Sequence, residues 1–244
     1  GLGEPLTTPS EVLRHVERPA DIWLALAPLM HGNGQWAVLR AWASGGTAAL
    51  WTGQRFDAEG IWDMVEELRI GFMIIVGDAM ARPLVDALTE HPCRWDLSAL
   101  RAFASGGAVL SAAVKAALAS RLSEVTIIDG YGASETGSGG TMLGRTSGGL
   151  PVFAANPRTA VLTDDLVESP VGQPGLLGVR GPIPSGYWRD PAKTAEVFRV
   201  AADGTRWAVP GDQAVRGADG SITLLGWIAA SGGALLFLET LALQ

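Results

Sequence analysis

Cysteine is almost missing: Cys93 is the only one among 244 residues. A lone thiol cannot close an intrachain disulfide and leaves no Cys-rich metal site. Charge is also scarce, at 18% of residues against a usual quarter, and it sums to −7. Binding to a nucleic-acid backbone depends on neutralising phosphate with cations, so this balance argues against nucleic acid as the partner. A nucleotide ligand survives the argument, because glycine amides and a metal can hold phosphate locally. No apolar run approaches the ~20 residues of a membrane span. The longest, Ile22 to Met30, is interrupted by Pro28. Signal-peptide patterning, internal repeats and low-complexity tracts are absent too. The expectation is a soluble cytoplasmic protein, and Gly1 in place of an initiator Met reads as a processed or excised piece.

What is present is a globular composition, 48% hydrophobic, with 32 glycines that fall in clusters. Strands are expected at Ile22–Ala27, Thr47–Trp51, Phe72–Val76, Leu100–Ala104 and Val125–Ile128. Helices are expected between them, over Gln35–Ala43, Phe56–Arg69, Ala79–Leu88 and Ser111–Leu122, with Asp57 and Ser111 placed as N-caps. Such alternation predicts an α/β fold with a mostly parallel sheet covered by helices. Ligands of such sheets lie beyond the carboxyl ends of the strands. That places His31, Gly77, the turn Ser105-Gly106-Gly107 and Tyr131 along one edge. Residues 141–156 read as loop. Short strands then follow at Thr159–Leu162, Leu176–Arg180, Arg206–Val209, Gln213–Val215 and Ser221–Leu225, which predicts a β-rich, distorted-barrel-like part. The expected division is 1–160, 161–225 and a degenerate hinge and tail at 226–244.

The stretch Asp129-Gly130-Tyr131-Gly132-Ala133-Ser134-Glu135 combines glycines, an aromatic face, a hydroxyl and a carboxylate. Glycines let backbone approach a ligand, the ring can stack, and Glu135 can hold a divalent cation through oxygen. By residue type alone it fits an ordinary strand-to-loop turn equally well. Asp212 in Pro-Gly-Asp has the same two readings, and His31 at a strand end can be structural. His15, His91 and Cys93 carry no chemistry, and the nine tryptophans read as core and interface residues.

Taken together, five segments resemble the adenylate-forming superfamily, AMP-dependent synthetases and ligases, and most closely the fatty-acyl-CoA synthetases. They are Pro28-Leu29-Met30-His31-Gly32, Ala104-Ser105-Gly106-Gly107-Ala108, Tyr131-Gly132-Ala133-Ser134-Glu135, Gly186-Tyr187-Trp188-Arg189-Asp190-Pro191 with Thr194, and Gly211-Asp212 with Asp219-Gly220 and Gly226. Their order and spacing carry the resemblance; each alone is weak. It implies the central part of a large adenylation domain that turns a carboxylic acid, most readily a fatty acid, into an acyl-adenylate and then a thioester. ATP, Mg²⁺ and coenzyme A would be its cofactor and co-substrates, with AMP released. The resemblance places Tyr131 on adenine, with Gly106, Gly107, Ala108, Asp129, Gly130 and Gly132 around the nucleotide. Ser134 and Glu135 would act at the phosphates, Glu135 holding Mg²⁺, and Asp212 would bind the ribose. His31, Val76 and Gly77 would border the acyl pocket, with Gly106.

The departures from the pattern are equally specific. The family's Ser/Thr/Gly-rich phosphate loop would lie upstream of His31 and is not in this sequence, nor is the C-terminal domain with its lysine. Pro210 stands where the family has threonine, and Trp227 where it has a ribose-contacting arginine. The expectation is therefore a chain that is inactive alone, or alternatively a non-catalytic nucleotide- or acyl-binding module.

Overall fold

Strands flanked on both sides by parallel neighbours bury both faces, and the apolar runs between Ile22 and Ile128 do this. The computed structural model describes residues 8–14, 16, 20–147, 149–154 and 156–227. Its contacts divide the chain into two units, Gly1–Asp129 and Gly130–Gln244. The first opens with a short helix α1 (Pro9–Arg14), then alternates β1 (Ile22–Ala25), α2 (Gly32–Ala43), β2 (Thr47–Leu50), α3 (Ala58–Glu67) and β3 (Phe72–Ile75). It continues with α4 (Gly77–Glu90), β4 (Ala102–Ser105), α5 (Ala112–Arg121) and the first half of β5 (Thr126–Ala133). The strands are all parallel, in the order β2-β1-β3-β4-β5.

Local chemistry explains where the helices start. The Asp57 carboxylate accepts the Gly60 N–H at 3.2 Å, and the Ser111 hydroxyl accepts that of Val114 at 3.4 Å, so both expected N-caps form. The apolar stripe of α3 then delivers Ile61, Trp62 and Val65 to a core shared with Met73, Ile75, Leu84, Phe103 and Leu118. Trp62 is fully buried, and its indole N–H donates to the Leu84 carbonyl at 3.0 Å, so the largest core side chain leaves no polar atom unsatisfied.

The second unit is antiparallel. Its elements are the end of β5, β6 (Gly137–Arg145), β7 (Pro151–Phe153), β8 (Thr159–Leu162), β9 (Pro174–Arg180), α6 (Pro191–Val197), β10 (Phe198–Val200), β11 (Arg206–Ala208), β12 (Asp212–Arg216) and β13 (Ile222–Trp227). Strand order runs β5-β6-β7-β13-β12-β9-β11-β10, with β8 on the other edge of β9. This α/β layer and β-rich part match the expected fold class. One local expectation fails. Residues 141–156 are not loop: most of β6 and all of β7 fall there, paired from Met142↔Phe153 to Arg145↔Pro151. Glycines and two β-bulges, between Tyr131 and Gly132 and between Met142 and Gly144, break the period-2 pattern that marks a strand in sequence. The expected hinge and tail lie, beyond Trp227, outside the described residues.

Trp62→Ala should destabilise the first unit by about 3–5 kcal/mol through cavity formation and an orphaned Leu84 carbonyl. Chemical denaturation followed by tryptophan fluorescence checks this, and a loss below ~1 kcal/mol would mean the indole is not packed as described.

Candidate functional site

In the first unit, the carboxyl ends of β3 and β4 are sewn together. Gly77, the first residue of α4, has φ +53, and a Cβ there would lie 2.6 Å from the Val109 carbonyl oxygen and 2.9 Å from the Ala108 Cβ. Only glycine admits so close an approach in the left-handed region. The Gly77 N–H donates to the buried Ser105 hydroxyl at 3.0 Å, and the Ser111 N–H donates to the Asp78 carboxylate at 2.8 Å. Val76 faces Gly107, whose own φ is +84. Asn33, in the first turn of α2, donates its amide to the Ile75 carbonyl at 3.2 Å and to the Gly106 carbonyl at 3.1 Å. The structure thus gathers Val76, Gly77, Gly106, Gly107 and Ala108, with Gly107 and Ala108 exposed to receive a ligand. His31 is the exposed N-cap of α2 and its side chain makes no cap bond, while Asp129 is buried where β5 pairs Ser105. Sequence reading missed Asn33. Its signal was the polar residue inside His31-Gly32-Asn33-Gly34, a segment otherwise read for its histidine.

In the second unit, the hairpin of β5 and β6 carries the remaining candidates. A Cβ on Gly139 would lie 2.4 Å from the Tyr131 ring, and one on Gly140 would lie 3.2 Å from it. The ring therefore lies directly on glycine backbone. Phe153 meets it edge-on at 4.6 Å, and Val161, Leu177, Ala214 and Ile222 form the cluster it packs against. Burial, and after it the charge of Asp212, push the Tyr131 phenol far above its ordinary value against the opposing effect of the Thr159 hydroxyl, and keep it neutral. Ser134 is exposed at the turn, between Gly132 and a half-buried Glu135. The turn is tied by the buried Thr136, whose hydroxyl accepts the Ala133 N–H at 3.0 Å.

Glu135 has a partner that the sequence did not announce. The Tyr187 hydroxyl donates to Glu135 Oε1 at 2.5 Å, the short distance of a charge-assisted bond. The two residues are 52 apart in the chain, so no local pattern links them. Asp212, at the start of β12, is pushed up to about 6 by burial and then by the charge of Glu135. Crowded negative charge of this kind suits a cation, so Glu135 fits a divalent ion whose remaining ligands are phosphate and water oxygens. Among the described residues no cluster of three or more His, Cys, Asp or Glu could hold a metal without such a ligand. Nor is any helix long and apolar enough to cross a membrane.

The raised Asp212 carboxyl has a stability consequence. A carboxylate whose folded value exceeds its unfolded one is stabilising when protonated, and that contribution is lost as pH rises from about 4 through about 6. Asp212→Asn should therefore raise the melting temperature at neutral pH, on the order of 1–3 kcal/mol, and flatten the pH dependence in that window. Thermal unfolding of both proteins between pH 4 and 8 checks this; parallel curves would contradict it.

Comparison with known proteins identifies the family. The model of the AMP-binding enzyme family matches residues 7–188. The 3-oxocholest-4-en-26-oate–CoA ligase of Rhodococcus rhodochrous is 37% identical over 219 residues, covering 86% of this chain and 39% of that protein. The medium-chain acyl-CoA ligase Mig of Mycobacterium avium is 40% identical over 247 residues, covering 97% and 44%. The chain thus spans about two fifths of the length of the curated relatives it matches. Among solved structures, the long-chain-fatty-acid-CoA ligase of Archaeoglobus fulgidus superposes with a TM-score of 0.66 at 18% identity, over 85% of this chain and 44% of that one. The luciferase-like enzyme of the mealworm Zophobas morio superposes at 0.71 with 21% identity, over 90% and 51%. At those identities the structures speak for the fold, and the match to three quarters of the residues speaks for descent: this chain belongs to the AMP-binding enzyme family.

Proposed function

We propose that these residues serve ATP-dependent activation of a carboxylic acid, of the fatty-acid class, through an acyl-adenylate to an acyl-CoA. The observation that carries the reading is the second unit's arrangement of Tyr131 on bare glycine backbone with Glu135 and Asp212 electrostatically coupled. A neutral aromatic face suits a purine, and two adjoining carboxylates suit a ribose diol and a phosphate-bound cation. The acyl class is taken from relatives whose names specify medium- and long-chain fatty acids and a steroid carboxylate. Consumption of ATP and coenzyme A supports a cytoplasmic location.

The chemistry needs positioning more than a nucleophilic side chain. A substrate carboxylate oxygen attacks the α-phosphorus of ATP as the bond to pyrophosphate breaks; the thiolate of coenzyme A then attacks the acyl carbon and AMP departs. Tyr131 holds the adenine by stacking, with Gly106, Gly107, Ala108, Asp129, Gly130 and Gly132 lining the nucleotide. Asp212, when ionised, accepts from the ribose hydroxyls. Ser134 is the exposed donor of the turn, and Glu135 holds the divalent ion, which when bound offsets the charge that builds on the phosphates. His31, Val76, Gly77 and Gly106 border the acyl group.

The second reading, a nucleotide- or acyl-binding module without turnover, is favoured by Trp227 at the position where the family's arginine meets the ribose. The two readings share a binding step and differ in exchange. Calorimetry should show AMP binding that weakens about tenfold or more in Tyr131→Ala, a stacking loss of ~1–3 kcal/mol. Gly139→Ala should weaken it similarly, because its methyl group displaces the ring. Absence of binding of both AMP and a fatty acid by the unsubstituted chain would overturn both readings. Fatty-acid-dependent ATP–pyrophosphate exchange by the chain alone would exclude the module and the expected inactivity together.

A further inference from the structure

The Gly186–Thr194 segment is built to deliver one atom, the Tyr187 hydroxyl. Gly186 has φ +153, and a Cβ there would lie 2.5 Å from Thr194 Cγ2, so no larger residue can replace it without moving the loop. The Tyr187 N–H donates to the Thr194 hydroxyl at 2.9 Å, and that hydroxyl donates to the Asp190 carbonyl at 2.7 Å. Asp190 caps α6 through the Lys193 N–H at 2.9 Å. The Tyr187 ring packs against the cluster of Val197, Phe198 and Ala208, with its centroid 5.7 Å from that of Phe198. Backbone, ring and cap are all fixed, and what remains of the side chain ends on Glu135 Oε1 at 2.5 Å. A loop whose only task was to turn would need none of this aim.

We propose that Tyr187 is a positioning residue that makes Glu135 a one-oxygen ligand and so selects magnesium over calcium. The inference rests on Glu135 holding the divalent ion, as in the function proposed above. A phenol hydrogen bond takes one lone pair of Oε1, so two-oxygen contact with a cation has to compete with the phenol there, while single-oxygen contact through Oε2 does not. Magnesium demands near-octahedral geometry and takes carboxylates through single oxygens, completing its shell with phosphate and water. Calcium has a larger, more flexible shell and gains from two-oxygen contact. Occupying Oε1 therefore penalises calcium and leaves magnesium unaffected. Asp212 does not substitute for this control, since Glu135 acts on it through charge and not through a bond.

Tyr187→Phe keeps the ring on Phe198 and removes the oxygen, so it tests the bond and leaves the packing in place. The measurement is calorimetric titration of the whole chain with magnesium chloride and with calcium chloride, each with α,β-methylene-ATP present. The expected result is that discrimination in favour of magnesium falls about tenfold in Tyr187→Phe, mainly by tighter calcium binding. Glu135→Gln should weaken both cations, and adding Tyr187→Phe to it should change the ratio no further, which a merely structural role for Tyr187 would not produce. Thermal unfolding of Tyr187→Phe confirms that the variant compared is folded. An unchanged ratio in a folded variant overturns this inference and leaves the proposed function standing. If the unsubstituted chain takes up nucleotide without any cation, the role of Glu135 and this inference fall together.

Discussion

Glu135 and Asp212 are the two charges around which the second unit is arranged. Like charges close enough to perturb one another, in partly desolvated surroundings, cost folding free energy. A protein carries such an arrangement only where the surrounding structure over-determines it. Here the over-determination can be traced. The β5–β6 hairpin and the buried Thr136 fix the turn that bears Glu135, the Tyr187 phenol grips one of its oxygens, and β12 begins at Asp212 with neighbours on both sides. The displaced value of Asp212 is the residue of that conflict. Perturbed carboxylates of this kind gather where a ligand is to be held, because the ligand completes the charge balance.

Glycine has a second role in this chain, distinct from turning it. Gly77 and Gly139 are both sites where a neighbouring group already fills the volume of a Cβ. At Gly77 the intruder is backbone and Ala108, which lets the loop after β4 close over the start of α4. At Gly139 it is the Tyr131 ring, which gains a flat support without a side chain to tilt it. In both places the glycine sets the position of a different residue, so its loss would be felt by a partner far away in sequence.

This explains which parts of the molecule the sequence discloses. Alternating strands and helices of the first unit were legible because parallel strands leave uninterrupted apolar runs and their helices carry recognisable caps at Asp57 and Ser111. β6 and β7 were not, because a strand interrupted by Gly137, Gly139, Gly140 and Gly144, with register shifts in its pairing to both neighbours, carries no hydrophobic period. The candidate residues of the motifs were legible as residue types at given spacings. Their partners were not: Asn33 reaches Gly106 across 73 positions and Tyr187 reaches Glu135 across 52, distances over which only the fold decides who meets whom.

The departures from family pattern can be weighed by the same physics. Trp227 stands where the family pattern has an arginine and brings no cation of its own. Pro210 gives up a backbone donor two residues before Asp212, at a turn where Gly211 stands at φ +112. Both changes take a polar group out of the family pattern while leaving Asp212 and Glu135 in place. A site altered in that direction keeps the features that cost stability and loses those that repay it on ligand binding. On the function proposed above, affinity for nucleotide would then rest more heavily on the stacking face of Tyr131 and on a cation at Glu135 than on contacts to the sugar.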